Sequence, residues 1–168
     1  MKEAGVSADI TEDGTTFEEN ALIKARAVHR LTGSLVLADD SGLEVDWLNK
    51  EPGIYSARYM GEDTSYEIKN QEIIRRLEGA EGKERSARFV CAIGAVLPDG
   101  TELTATAAME GTIAFAPAGE GGFGYDPIFY LEEYGKTAAQ LTPEEKNRIS
   151  HRGKALRAMK DKLRERLS

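Results

Sequence analysis

Three groups of residues in this sequence carry types and spacings that could do chemistry. Two adjacent carboxylates, Asp39 and Asp40, follow the apolar run 35–38 and precede Ser41-Gly42. In open α/β sheets ligands bind outside the carboxyl ends of strands. Neighbouring strand residues point to opposite faces, so one Asp can face a cleft while the other braces the loop. The alternative is a solvated turn, because Asp, Ser and Gly all favour turns. The second group is Gly119-Glu120-Gly121-Gly122-Phe123-Gly124-Tyr125-Asp126-Pro127. Aromatics interleaved with glycine offer a flat stacking surface beside exposed backbone, whereas flexible linkers lack aromatics. The third is Lys146, Arg148, His151 and Arg152, four basic residues within seven positions. If Ser150 caps the last helix, His151 and Arg152 fall in its first turn, where cations oppose the macrodipole unless an anion is bound. That mismatch points to phosphate; a solvated basic stripe suits Arg157, Lys160, Lys162 and Arg164 better.

The elements that must position these groups are readable from periodicity and punctuation. Thr15 and Thr16, each followed three residues on by a glutamate, open a helix with Phe17, Ala21, Lys24, Ala25, Val28 and Leu31 at helical spacing and Gly33 as its stop. Lys24 lies among the apolar positions: either it snorkels from the edge of the buried face or it is aimed at an anionic ligand. Residues 35–38 read as a buried strand, and 43–48 as a second strand making a hairpin with it, with Trp47 as a packing residue. Pro52-Gly53 marks a turn. A helix over 64–77, with Thr64 and Glu67 as its capping pair, has Tyr66, Ile73, Ile74 and Leu77 on its apolar side. Residues 89–97 and 102–115 make a hairpin around Pro98-Asp99-Gly100, with a short strand over 128–130. Thr142-Pro143-Glu144-Glu145 starts a helical C-terminal part.

Composition narrows the class. A chain of 168 residues with 40% hydrophobic and 30% charged residues is an ordinary globular mix, read as one domain. A formal net charge of −7 argues against a general nucleic-acid binder but leaves room for a nucleotide in a local basic pocket. Apolar runs fall far short of the ~20 residues of a membrane span and no signal peptide opens the chain, so a cytoplasmic location is expected. The single cysteine, Cys91, reads as a small core residue, and two histidines are too few for zinc. A metal, if present, is expected to have oxygen ligands, hence magnesium or manganese.

With these residues in view, the chain resembles the inosine triphosphate pyrophosphatase family. The matching stretches are Thr16-Phe17-Glu18-Glu19-Asn20-Ala21 with Lys24-Ala25, Ala38-Asp39-Asp40-Ser41-Gly42-Leu43, and Pro52-Gly53-Ile54-Tyr55-Ser56-Ala57-Arg58-Tyr59. They continue through 119–129, Gly135-Lys136-Thr137-Ala138-Ala139, Leu141 with Glu144-Glu145-Lys146, and Ser150-His151-Arg152-Gly153, spanning nearly the whole chain.

The resemblance implies an α/β fold: a mixed, twisted central sheet flanked by helices, in two lobes with an active-site cleft between them, and a homodimer. It implies hydrolysis of non-canonical purine nucleoside triphosphates (ITP, dITP, XTP) to the monophosphate and pyrophosphate, with magnesium. Asp40 matches the metal-associated general base and Glu12 a second metal carboxylate. Lys24 matches a lysine facing the polyphosphate and Ser41 a substrate contact. Phe123, Gly124, Tyr125 and Asp126 match the segment that stacks on and lines the base. Lys146, His151 and Arg152 match contacts favouring a 6-oxo purine. The family's pattern also opens with a strand, a glycine-asparagine phosphate loop ending in lysine, and a helix; Met1-Lys2-Glu3 falls after that unit. The corresponding expectation is a sheet short of one strand and a phosphate site short of part of its cradle. The alternative function is then a truncated nucleotide-binding protein of weak or no turnover.

Overall fold

The computed structural model describes residues 13–167. Helix α1 (Phe17–Thr32) begins where the sequence signals it. Thr16 accepts the Glu19 N–H at 3.1 Å, and the Glu19 carboxylate accepts the Thr15 N–H at 2.7 Å. Gly33, in the left-handed region, ends it. Phe17, Ala21, Ala25 and Val28 are buried as expected, but Leu31 is exposed in the last turn.

Strand β1 (Val36–Val45) departs from the sequence reading. There is no turn at Asp39–Gly42 and no hairpin: a single strand runs through the Asp-Asp-Ser-Gly segment. The turn preference of these types is overridden by partners from elsewhere in the chain, described below. Leu35 and Leu37 are exposed rather than buried, because β1 is the last strand on its side of the sheet among the described residues. Trp47 is also exposed, in the short 3-10 turn Asp46–Leu48 that follows the strand. The remaining strands are β2 (Ser86–Val96), β3 (Glu102–Ile113), β4 (Phe129–Leu131) and β5 (Lys136–Thr137), in the order β1-β2-β3-β4-β5. The β3–β4 and β4–β5 pairings are antiparallel. Helix α2 (Tyr66–Arg76) is capped by Ser65, one residue later than expected; α3 (Pro143–Ile149) carries the anticipated Thr142–Glu145 capping box, and α4 (His151–Leu167) follows it. Among the described residues, five strands with four α-helices make the fold α/β. Among the described residues no helix is long and apolar enough to cross a membrane.

The chain divides into two compact units. The first comprises the described residues up to Ser41, Cys91–Ala107, and those from Arg152 on. Its core joins Cys91, Ile93 and Ala95 of β2 to Ala105 of β3 and to Ala155 and Met159 of α4. Helix α1 lies directly on β2: a Cβ at Gly94 would come within 2.9 Å of the Leu22 backbone nitrogen, so only glycine permits this approach. The second unit comprises Gly42–Val90 and Ala108–His151, with Leu43, Val45, Ile73, Leu77, Phe89, Ile113, Ile128 and Phe129 in its core. Buried Arg85 pins this core by donating to the carbonyl oxygens of Leu77, Ala80, Ile113 and Ala114. Burial lowers its pKa.

At the edge of the second unit, Asp46 accepts from both terminal nitrogens of Arg88 at 2.9 Å and from Ser86. These bonds, Arg88's foremost, hold its pKa well below the usual carboxylate range. A depressed folded-state pKa contributes stability that is complete above the unfolded value of about 3.9 and is lost as pH falls toward the folded one. Asp46→Asn is therefore expected to lower Tm at pH 7. The gap to wild type should shrink as the buffer is taken below about pH 4. Parallel thermal melts across pH check this; a gap independent of pH would remove the charge from the explanation.

Candidate active site

In the first unit, the two carboxylates of β1 have separate partners, as expected for adjacent strand residues. Asp40 is buried, and its Oδ1 lies 3.2 Å from the Lys24 ammonium. Lys24 also donates to the Asp39 carbonyl oxygen at 2.9 Å. Helix α1 thus places Lys24 where the sequence left two readings open. The lysine does not snorkel to solvent; it spans to β1 and meets a carboxylate. Asp39 instead pairs with Arg152, Oδ2 to Nη2 at 3.0 Å. Arg152 is the second residue of α4, so the anion that the sequence demands near this helix start is met here by the chain's own carboxylate. Both members of that pair are about half exposed, and such pairs contribute little stability.

Ser41 stands next along β1, against the buried Cys91 thiol. Burial raises the thiol pKa, and the neighbouring Ser41 and Arg152 side chains only partly offset this. A buried thiol held protonated is a core group, as the sequence suggests. Glu12, the second expected metal carboxylate, lies outside the described residues.

In the second unit, the glycine-aromatic loop is ordered by one carboxylate. Asp126 Oδ2 accepts the Phe123 N–H at 3.0 Å and the Lys146 ammonium at 2.6 Å. The same ammonium lies 5.0 Å from the centre of the Phe123 ring. Phe123 itself is 74% exposed, an aromatic face with a cation beside it. Gly122 makes this geometry possible: its φ of 73° is left-handed, and a Cβ there would overlap Asp126 Oδ2. Gly122→Ala is accordingly expected to displace Asp126, with a stability loss of about 1–2 kcal/mol that a thermal melt measures.

Tyr125 takes a different place from its neighbours. It is buried, its hydroxyl donates to the Ser56 carbonyl at 2.6 Å, and the Tyr66 ring meets it edge-on at 5.2 Å. Burial pushes its phenol pKa upward. Tyr125 anchors the loop, and Phe123 presents the open face. His151 begins α4 with its ring stacked on Phe89 at 5.2 Å and 16°.

Three polar residues that sequence reading passed over support this loop. Ser56 Oγ accepts the Leu43 N–H at 2.8 Å and donates to the Gly53 carbonyl at 2.6 Å. Lys69 and Asn70 of α2 are buried, with Nζ on the Ala57 carbonyl at 2.9 Å and Nδ2 on the Gly124 carbonyl at 3.2 Å. The available signal was positional: 69 and 70 fall at i+3 and i+4 from Tyr66, on the same face as Ile73.

An α/β protein with a lysine–carboxylate pair on α1 and β1, and an acidic clamp under a glycine-aromatic loop, has the architecture of known Ham1 proteins. The solved HAM1 protein from Coxiella burnetii superposes with a TM-score of 0.89 at 45% identity, covering 98% of this chain and 84% of that one. A dITP/XTP pyrophosphatase of Clostridium perfringens is 46% identical over 98% of this chain and 83% of its own length. One of Geobacillus kaustophilus is 50% identical over 94% and 77%. The Ham1 family profile matches residues 1–162, and the chain belongs to the Ham1 family.

Proposed function

We propose that this protein hydrolyses non-canonical purine nucleoside triphosphates (dITP, XTP and ITP) to the monophosphate and pyrophosphate, removing deaminated purines from the nucleotide pool. Its similarity to dITP/XTP pyrophosphatases over most of their length supports the substrate class. The observation that carries the chemistry is the Lys24–Asp40 pair, a buried carboxylate and an ammonium 3.2 Å apart.

In this reading water attacks the α-phosphorus, the bond to the bridging oxygen of the β-phosphate breaks, and Asp40 accepts the proton of the attacking water. Lys24 offsets charge on the polyphosphate, and Ser41 contacts it. Phe123 stacks on the purine, with Gly124, Tyr125 and Asp126 shaping its seat. Lys146, His151 and Arg152 donate to the 6-oxo group; an adenine amine would leave those donors unpaired.

A magnesium ion suits the donor set. Asp40 is a hard oxygen ligand on β1, and this cation is habitually held by one or two carboxylates plus substrate phosphates rather than by an all-protein cage. Asp40 and Glu12 would hold it, with manganese as a substitute, and it would supply an acidified water. The reading also carries a homodimer and a cytoplasmic location; light scattering of the purified protein measures the first.

The test is product analysis with dITP and magnesium. Deoxyinosine monophosphate and pyrophosphate are expected; orthophosphate with the diphosphate would contradict the assigned bond, and binding without turnover would leave only a nucleotide binder.

A further inference from the structure

Asn70 is 4% exposed, on the buried face of α2 beside Lys69 at 1%. Its Nδ2 donates to the Gly124 carbonyl at 3.2 Å, and that acceptor fixes which way the amide points. Its Oδ1 is buried and accepts no hydrogen bond from the described residues. A buried amide satisfied on one side costs free energy that an apolar side chain of similar size would not. Packing alone therefore favours leucine at position 70. What asparagine supplies, and leucine cannot, is a hold on one carbonyl of the glycine-aromatic loop.

That carbonyl belongs to the residue between Phe123 and Tyr125. On one side is the exposed Phe123 ring, whose N–H is fixed by Asp126. On the other is Tyr125, anchored at Ser56. The same turn of α2 reaches the loop's surroundings twice more. Lys69 holds the Ala57 carbonyl and sits over the Tyr66 ring at 4.6 Å, and Tyr66 packs edge-on against Tyr125. A glycine-rich segment has little stiffness of its own, so its direction is set by such outside bonds.

We propose that Asn70 is a positioning residue of this loop: by holding the Gly124 carbonyl it fixes the Phe123 face and so sets the affinity for the purine without touching it. This rests on the reading of the loop as the purine seat given above.

The test uses Asn70→Leu and Asn70→Asp in the full chain. Each is measured for Tm, for dITP kinetics, and for hydrogen exchange over residues 121–126 without nucleotide. For Asn70→Leu, Tm is expected to hold or rise, exchange over 121–126 to quicken, and KM to rise about tenfold with kcat nearly unchanged, the worth of one lost hydrogen bond. For Asn70→Asp, the protonated acid can donate to the Gly124 carbonyl, whereas the carboxylate presents only acceptors to it. Its KM is therefore expected to climb with pH relative to wild type. A purely structural asparagine predicts otherwise: lower Tm in Asn70→Leu, unchanged exchange over 121–126, and no pH-dependent KM in Asn70→Asp. Any of these overturns the proposal, as does quickened exchange with unchanged KM. If the wild type does not turn over dITP, the functional reading fails on its own. The exchange measurement then decides alone, quickening in Asn70→Leu sustaining the hold on the loop and no change ending it.

Discussion

Asp40→Asn is expected to lower kcat on dITP by about 10³-fold while Tm stays within a few degrees of wild type. The expectation follows from what asparagine keeps and what it loses. Its amide oxygen can still accept from Lys24, which also retains the Asp39 carbonyl at 2.9 Å, so the α1–β1 contact survives. The side chain is nearly isosteric, so the buried site neither collapses nor overpacks. What disappears is the carboxylate to which the proposed mechanism gives the proton of the attacking water, together with a charge suited to a divalent cation. On that mechanism KM is expected to move far less than kcat, because the interaction removed would be made mainly in the transition state. Turnover within tenfold of wild type in a folded variant would take Asp40 out of the general-base role. A large fall in Tm would show instead that the pair with Lys24 is mainly structural.

Much of the first unit was legible because its signals are local or periodic. The Thr16–Glu19 cap, the Gly33 stop and the spacing of Phe17, Ala21, Ala25 and Val28 fix which face of α1 is buried, and Lys24 stands out only against that face. Its partner could not be read, because a window along the chain does not see residue 40 from residue 24. The same blindness turned β1 into a hairpin. Asp, Asp, Ser and Gly in a row are turn residues by propensity. They remain in a strand because β1 pairs with β2, some 50 positions further along the chain; Lys24 and Arg152, 16 and 113 positions away, then meet the two carboxylates.

The glycine-aromatic loop shows a different limit. Its composition marked an ordered ligand segment, but could not say which aromatic is open and which is buried. Phe123 and Tyr125 are two residues apart and chemically alike. The difference comes from Ser56 and Tyr66, which capture the Tyr125 hydroxyl and ring edge. Lys69 and Asn70 were hidden for a related reason. Amphipathic patterns are read by assigning polar residues to water, and a polar residue buried to hold a backbone carbonyl has the opposite placement.

Lys146→Met is expected to have two separable effects. The first is on stability. Asp126 is largely buried and its Oδ2 meets the Lys146 ammonium at 2.6 Å, so truncating the cation leaves a carboxylate with its desolvation uncompensated. Because Lys146 is about one-third exposed, the loss is put at about 1–2 kcal/mol rather than the 3–5 of a fully buried pair, a fall in Tm of roughly 2–8 °C. The second is on selectivity. If Lys146 also donates to the 6-oxo group, its removal lowers the dITP-to-dATP ratio of kcat/KM by about 10–100-fold, the worth of a charge-assisted hydrogen bond. The double variant Lys146→Met with Asp126→Asn tells these apart. Neutralising Asp126 removes the orphaned charge, and the amide oxygen can still accept the Phe123 N–H, so Tm is expected to recover. The lost donor does not return, so selectivity is expected to stay low. Recovery of both together would mean that Lys146 serves the loop only by holding Asp126, and that the purine is read by other donors.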